Sequence, residues 1–223
     1  MIDTLTNEFK GFRTRYFEEN KQLFDHLTTH GQAPKVMMIS CADSRVDPAL
    51  LFNTAPGDIF MVRNVANLVP PCQTNTDDHS VSSALEFGVK DLKVEHIVVM
   101  GHALCGGMKA LCSYCQQTDE EQAAETEENR RSFIRGWVDV ARPAINQVDM
   151  NQPEPDKLRD AEQASIVNSL QNLRSFEFIK DKEAAGGLSL HGWWFDMNKG
   201  ALWAFNKTEG KFMPLIPAGA EQS

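Results

Sequence analysis

The sequence predicts an α/β fold: a central, mostly parallel β-sheet flanked by helices, with an N-terminal helical arm. Short, nearly continuous apolar runs at residues 35–40 and 95–100 are typical of strands buried on both faces. Residues 80–92, between them, show apolar residues at helical spacing. A strand–helix–strand order predicts a right-handed crossover and hence parallel strands.

Residues 1–30 are predicted to form the helical arm. Its apolar residues recur at steps of about three and four: Phe9, Phe12, Tyr16, Phe17, Leu23, Phe24 and Leu27. Gly31 and Pro34 then break the pattern. Because these aromatic residues lie far from the predicted strands, we expect them to pack on the domain or on a second subunit.

The remaining elements complete one predicted domain. They are strands 58–62, 188–197 and 201–206 and helices 107–115, 132–148 and 158–173. A proline-rich turn at 151–155 separates the last two helices, and Asn198-Lys199-Gly200 is a hairpin signal between the last two strands. The sequence shows no clear repeat and no linker that would divide it, so we predict a single domain over residues 1–223.

Composition excludes several functions. The formal net charge of −9 is opposite in sign to that expected of a nucleic-acid-binding protein. No stretch approaches the roughly 18 consecutive apolar residues that span a bilayer, and residues 1–10 lack the apolar run of a secretory signal. The five cysteines are odd in number and scattered, which favours reduced thiols over a disulfide framework. We therefore expect a cytoplasmic protein without nucleic-acid or membrane partners.

Three potential metal ligands follow predicted strands. Cys41 follows the first apolar run, and His102 and Cys105, spaced H-x-x-C, follow the run at 95–100. Ligands of open α/β sheets bind beyond the carboxyl ends of the strands, which is where these residues fall. Thiolate and imidazole suit zinc, and three protein ligands leave a fourth position open. Spacing alone is weak evidence, and structural roles at strand ends are the alternative.

Asp43 and Arg45 come directly after Cys41. They could pair and orient a water molecule beside a metal ion. The alternative is an ion pair that only completes the turn.

The motifs around these residues resemble the β-carbonic anhydrase family. C-A-D-S-R-V-D-P at 41–48 is similar to the first family signature, with Ala42 in place of the usual Ser, and V-V-M-G-H-A-L-C-G-G at 98–107 is similar to the second zinc signature. Three further blocks also resemble the family and occur in family order. Residues 56–67 lie between the two signatures, and residues 162–173 and 188–196 follow the second.

The resemblance implies a lyase that reversibly hydrates carbon dioxide to bicarbonate and a proton. It implies zinc on Cys41, His102 and Cys105, with Asp43 and Arg45 as the catalytic dyad, in a homodimer or homotetramer. Asp43 would leave zinc open to water when paired with Arg45 and would close the site when unpaired; we predict the open state. Because two thiolates offset the metal charge, we predict activity that rises toward alkaline pH, and a flat profile would contradict this.

Pocket residues resemble those of the plant-type branch. Gln32, Phe60 and Phe87 match positions that contact substrate there, although plant-type enzymes carry Tyr at the position of Phe87, so one pocket hydrogen bond is in doubt. The branch with an inhibitory bicarbonate site uses Trp, Arg and Tyr at positions where this chain has Met38, Arg63 and Phe195. We therefore predict no bicarbonate-driven switch.

Two alternative functions stay open at this point. A related zinc hydrolase acting on carbonyl sulfide or carbon disulfide would reuse the same site, and comparing turnover of the three substrates would separate the two activities. A non-catalytic zinc protein is disfavoured by Asp43, Arg45 and Gln32, because a structural site takes a fourth fixed ligand. The C-x-x-C at 112–115 is more simply explained as core or surface cysteines than as a redox or second zinc site.

Overall fold

Six strands form one sheet in the order β2-β1-β3-β4-β5-β6. The computed structural model describes residues 1–73, 79–118, 120, 121, 124, 126 and 131–216. The strands are β1 (Val36–Cys41), β2 (Ile59–Asn64), β3 (His96–His102), β4 (Ser189–Asp196), β5 (Ala201–Asn206) and β6 (Lys211–Ile216). Strands β1 to β4 pair in parallel, and β5 and β6 are antiparallel. The predicted α/β class is confirmed. The single domain over 1–223 stays a prediction, and residues 217–223 lie outside the described part.

The helices lie between and around these strands. They are α1 (Ile2–Phe12), α2 (Lys21–His30), α3 (Pro48–Phe52), α4 (Ser80–Glu86), α5 (Gly106–Gln116), α6 (Ser132–Val138), α7 (Arg142–Ile145), α8 (Glu154–Leu173) and α9 (Glu177–Ala184). Segments of π-helix, Arg13–Phe17 and Phe87–Asp91, follow α1 and α4. In the described part of the chain, no helix has the length and apolar content that a membrane crossing requires.

Prolines explain two departures from the predicted helices. The helix expected over 132–148 is wrong as a continuous element, because α6 and α7 are separated by a 3-10 turn and Pro143 lies in the first turn of α7. Proline has no N–H to donate and is tolerated only in a first turn. For the same reason Pro155 fits inside the start of α8, which begins earlier than the sequence predicted. Pattern analysis missed α3, α9 and β6.

The central strands β1 and β3 are buried on both faces, as their continuous apolar runs predict. Ile39 and Val99 face α8 and share a core cluster with Ile166. Met38 and Val98 point to the opposite face and form a smaller cluster. Because successive strand residues alternate between faces, an all-apolar strand needs cover on both sides.

The N-terminal arm is helical, as predicted, and the apolar side chains of α1 stay exposed within one chain. No residue of α1 is buried, and Phe9 is 64% exposed. Phe12 and Tyr16 stack on each other, and both contact Phe24 of α2 edge-on. The aromatic side chains of the arm therefore contact one another.

Candidate metal centre

Cys41, His102 and Cys105 come together at the carboxyl ends of two neighbouring strands. Cys41 ends β1, His102 ends β3, and Cys105 immediately precedes α5. Their ligating atoms all lie within 4.8 Å of one another, and all three residues are buried. The pairing of β1 with β3 creates this proximity, since parallel neighbours end at the same edge of the sheet.

The imidazole of His102 is oriented as a metal ligand. Its Nδ1 donates to the carbonyl oxygen of Ala103 at 2.9 Å, which leaves the lone pair on Nε2. That Nε2 is buried and has no hydrogen-bond partner in the described part of the chain. Buried polar atoms are nearly always paired, so this atom, beside two thiol groups, is well explained by a bound cation.

The two thiol groups differ in acidity. A hydrogen bond from Cys105 lowers the pKa of the Cys41 thiol, and the backbone N–H of Ala66 also donates to its sulfur at 3.3 Å. The same bond to Cys41 raises the pKa of Cys105, and burial adds to that rise. One proton of the thiol pair is therefore lost readily, and a cation bound between the sulfurs would favour loss of the second proton as well. Two sulfurs and one imidazole nitrogen are a donor set that fits zinc.

A strained turn supplies the Ala66 N–H. Ala66 and Asn67 have φ of 65° and 49°, a left-handed conformation that costs free energy for residues other than glycine. The side chain of Asn64 holds the turn through two 2.9 Å bonds with the backbone of Leu68. Helix α5 packs tightly here: a Cβ on Gly107 would lie 2.9 Å from that of Ala66, so the position requires glycine.

Asp43 is held beside the three ligands by Arg45. The guanidinium binds both carboxylate oxygens, at 2.9 and 2.7 Å, and also donates to the carbonyl oxygen of Leu104 at 3.1 Å. This places Asp43 Oδ2 at 4.0 Å from His102 Nε2. The bonds from Arg45 hold the pKa of Asp43 well below its usual range, so the carboxylate stays ionised.

Glu162 is a buried carboxylate whose role sequence analysis missed. It projects from α8, accepts the backbone N–H of Cys105 at 2.8 Å through one oxygen, and accepts the indole N–H of Trp194 at 3.1 Å through the other. Burial raises its pKa to about 7. Glu162 ties a metal ligand to α8 and β4. The sequence does contain a feature that could have indicated this role: Glu162 is an acidic residue on the apolar face of a helix, next to Leu158, Ala161 and Ile166.

The predicted pocket residues lie at the other end of the strands. Phe60 is paired with Met37, four residues before Cys41, which places it about 13 Å from the metal edge at the usual rise of a strand. Phe87 contacts Phe60, with ring centroids 5.8 Å apart, and Gln32 precedes β1. Within one chain, these three residues do not reach the metal ligands, and their substrate contacts stay a prediction.

A Cys–His–Cys group positioned to bind a metal, with an ionised carboxylate beside it, at the carboxyl edge of a parallel sheet, is typical of a zinc-dependent enzyme. The carbonic anhydrase family matches residues 36–202 of the chain. The chain therefore belongs to the carbonic anhydrase family, whose zinc-dependent reaction is the reversible hydration of carbon dioxide.

Relatives of known name agree with this assignment. Beta carbonic anhydrase 3 of Arabidopsis thaliana is 33% identical over 207 residues, which cover 91% of this chain and 76% of that protein. Beta carbonic anhydrase 5, chloroplastic, of the same organism is 37% identical, over 88% of this chain and 62% of that protein. This chain thus spans less than two thirds of the second relative.

Solved structures share the fold. The β-carbonic anhydrase CcaA superposes with a TM-score of 0.83 at 28% identity, covering 96% of this chain and 98% of that one. A tetrameric β-carbonic anhydrase of Sordaria macrospora has a TM-score of 0.69 at 24% identity, covering 99% of this chain and 96% of that one. These likenesses confirm the predicted α/β class with its N-terminal helices.

Proposed function

We propose that this protein hydrates carbon dioxide at a zinc ion held by Cys41, His102 and Cys105, with Asp43 as the residue that orients the reacting water. The observation that carries this proposal is the ionised Asp43 carboxylate, 4.0 Å from the unpaired Nε2 of His102. Zinc bound by these ligands would lower the pKa of a water molecule and so supply a nucleophile at moderate pH.

Asp43 is suited to hold a proton donor in one orientation. Each carboxylate oxygen has two lone pairs, and Arg45 occupies one side of the group. The lone pairs that Arg45 does not use face the candidate metal ligands, where they would accept a hydrogen bond from a water molecule. That bond would fix the direction of the free lone pair of the water. The side chain is 18% exposed, so little bulk water competes for this acceptor.

The pairing of Asp43 with Arg45 also supports an open site. A carboxylate that is bound through both oxygens by a guanidinium would have to give up these charge-assisted bonds to become a fourth metal ligand. Arg45 itself is anchored to Leu104, between His102 and Cys105, so the dyad is fixed to the same loop as two of the ligands.

Gln32, Phe60 and Phe87 would complete the pocket of a second copy. Phe60 and Phe87 contact each other near the amino end of β2, and Gln32 precedes β1, so none of the three lies at the carboxyl ends that carry the candidate metal ligands of the same chain. Phe87 is 46% exposed, as expected for a residue that another copy covers. This arrangement favours a homodimer as the functional unit, or a homotetramer built from dimers, and we propose the cytoplasm as its location.

The test is metal analysis together with stopped-flow hydration of carbon dioxide. Asp43→Ala should keep zinc bound but lower kcat by about 10²-fold or more, since a positioned acid or base contributes on that scale. Asp47→Asn is the matched control: Asp47 lies in the same loop but pairs with Arg63, away from the metal ligands. Turnover of Asp43→Ala equal to that of the control would contradict the role of Asp43.

A further inference from the structure

The side chain of Arg63 lies behind the loop that runs from Cys41 to Asp47. Its Nε donates to the carbonyl oxygen of Cys41 at 3.1 Å. One terminal nitrogen donates to the carbonyl oxygen of Asp43 at 2.8 Å and, more weakly, to that of Val46 at 3.4 Å. The other terminal nitrogen pairs with the carboxylate of Asp47 at 2.7 Å. One planar group thus binds the loop at four points.

The loop has few backbone bonds that would fix it otherwise. Ala42 donates to Asn64 of β2 at 2.8 Å, and Val46 donates to the carbonyl oxygen of Asp43 at 3.2 Å. The carbonyl groups of Cys41 and Asp43 point toward Arg63 and are satisfied by it. A guanidinium presents several donors in a fixed plane, whereas an ammonium group is a single point charge, so Lys would not reproduce this set of bonds.

Arg45 and Arg63 have different effects on Asp43. Arg45 binds the carboxylate of Asp43 from within the same loop, its side chain is 51% exposed, and one bond to the carbonyl oxygen of Leu104 links it to residues outside the loop. Arg63 binds the backbone of Asp43 and of Cys41, and its side chain is only 27% exposed. It therefore fixes the separation between a metal ligand and the carboxylate beside it.

We propose that Arg63 is a positioning residue for hydration: it holds the backbone of the Cys41–Asp47 loop so that the Asp43 carboxylate stays directed at the metal centre. This inference rests on the proposed function of Asp43. Arg63 contacts loop carbonyls and Asp47 instead of the metal ligands' side chains, so its loss should lower kcat without changing KM.

The experiment compares zinc-loaded Arg63→Lys and Arg63→Gln with the wild-type protein and with Asp47→Asn. In both Arg63 variants, kcat should fall about tenfold or more while KM stays within about twofold. The loss of two or more charge-assisted hydrogen bonds is large enough to cause a fall in kcat of this size. Backbone amides of residues 42–47 should exchange with deuterium about tenfold faster, with exchange in β1 and β3 unchanged. Asp47→Asn removes the ion pair but keeps the carbonyl bonds and a side chain that caps α3, so both readouts should stay near wild type.

Unchanged exchange of the loop in both Arg63 variants would overturn the proposal, as would a kcat within twofold of wild type. Faster exchange throughout the sheet, or failure of both variants to fold while Asp47→Asn folds, would also overturn it, because Arg63 would then serve general stability. The exchange readout separates this inference from the proposed function. If Asp43→Ala keeps full turnover, Asp43 loses its role, whereas local loosening would still show that Arg63 fixes the loop.

Discussion

The carboxyl and amino ends of β1 and β2 differ in how many residues of the predicted active site a single chain brings together there. At the carboxyl ends, Cys41 lies opposite Asn64, and the surrounding donors are directed inward at a buried sulfur. At the amino ends, Phe60 contacts a half-exposed Phe87 next to the exposed loop of Gln32. The carboxyl ends carry a group of residues positioned to bind a metal, and the amino ends carry the predicted pocket residues.

This difference follows from strand geometry. Residues on neighbouring strands meet when they share a register position, but residues four apart on one strand are separated by about 13 Å. The pairing of β1 with β3 therefore brings the candidate ligands together, whereas the predicted pocket residues would reach a metal centre only on another copy, as proposed above. Substitutions at one end at a time test this separation of the candidate ligands from the predicted pocket residues.

The largest effect is expected at the carboxyl end. Cys41→Ala removes one of three ligands, so zinc content should fall close to zero and hydration to the background rate. Cys112→Ala is the matched control, since Cys112 is also a buried cysteine but lies outside the ligand group. Measured zinc per chain should stay at the wild-type value in the control; full zinc in Cys41→Ala would contradict the ligand assignment.

Co-expression of two variants tests whether a pocket residue of one copy acts on the metal centre of another copy. Gln32→Ala should lower activity about tenfold, as expected for the loss of one buried hydrogen bond to substrate. Co-expressed with inactive Cys41→Ala, it should form mixed dimers with one intact site, giving about a quarter of wild-type activity. Activity equal to the mean of the two separate variants would show that Gln32 does not act on a partner's metal centre.

The buried carboxyl group of Glu162, near the carboxyl ends of the strands, should make the free energy of unfolding of the metal-free protein depend on pH. Burial raises the pKa of Glu162 to about 7 in the folded state, above the ordinary value of 4.5. A raised carboxyl pKa adds stability that is fully present below the unfolded-state pKa and is lost as pH rises through the folded-state pKa. In urea unfolding, wild type should therefore lose about 3 kcal/mol relative to Glu162→Gln between pH 4.5 and pH 8.

A difference between wild type and Glu162→Gln that stays the same at pH 4.5 and pH 8 would show that burial does not raise the pKa of Glu162.

The smallest effect is expected at the amino end. Phe87→Tyr adds a hydroxyl group at a side chain that is 46% exposed, so the free energy of unfolding should change by less than about 0.5 kcal/mol. One added hydrogen bond to substrate would raise kcat/KM by up to about tenfold. Stopped-flow kinetics would measure this, and a marked loss of activity would argue against a pocket position for Phe87.

The grouping of the candidate metal ligands was largely predictable, since Cys41 and His102 end strands that the apolar runs define and Cys105 follows His102 closely. The motifs likewise singled out Asp43 and Arg45. The sequence did not predict β6, because its exposed residues show no alternation and include Pro214, which an edge strand tolerates. The contacts of Arg63 were also missed, because they depend on how β2 lies against the loop after β1.

The sequence by itself indicated most of the strands and helices in their order, the candidate zinc ligands and the neighbouring Asp43–Arg45 pair, since each depends on local pattern or on a motif. Only the tertiary structure decided which ends of the strands those residues share. It placed Glu162 behind Cys105 and Arg63 behind Asp43, and it separated Gln32, Phe60 and Phe87 from the candidate metal ligands. The physical reason is that strand register and helix packing set distances between residues remote in the chain, and one sequence read along its length carries no measure of those distances.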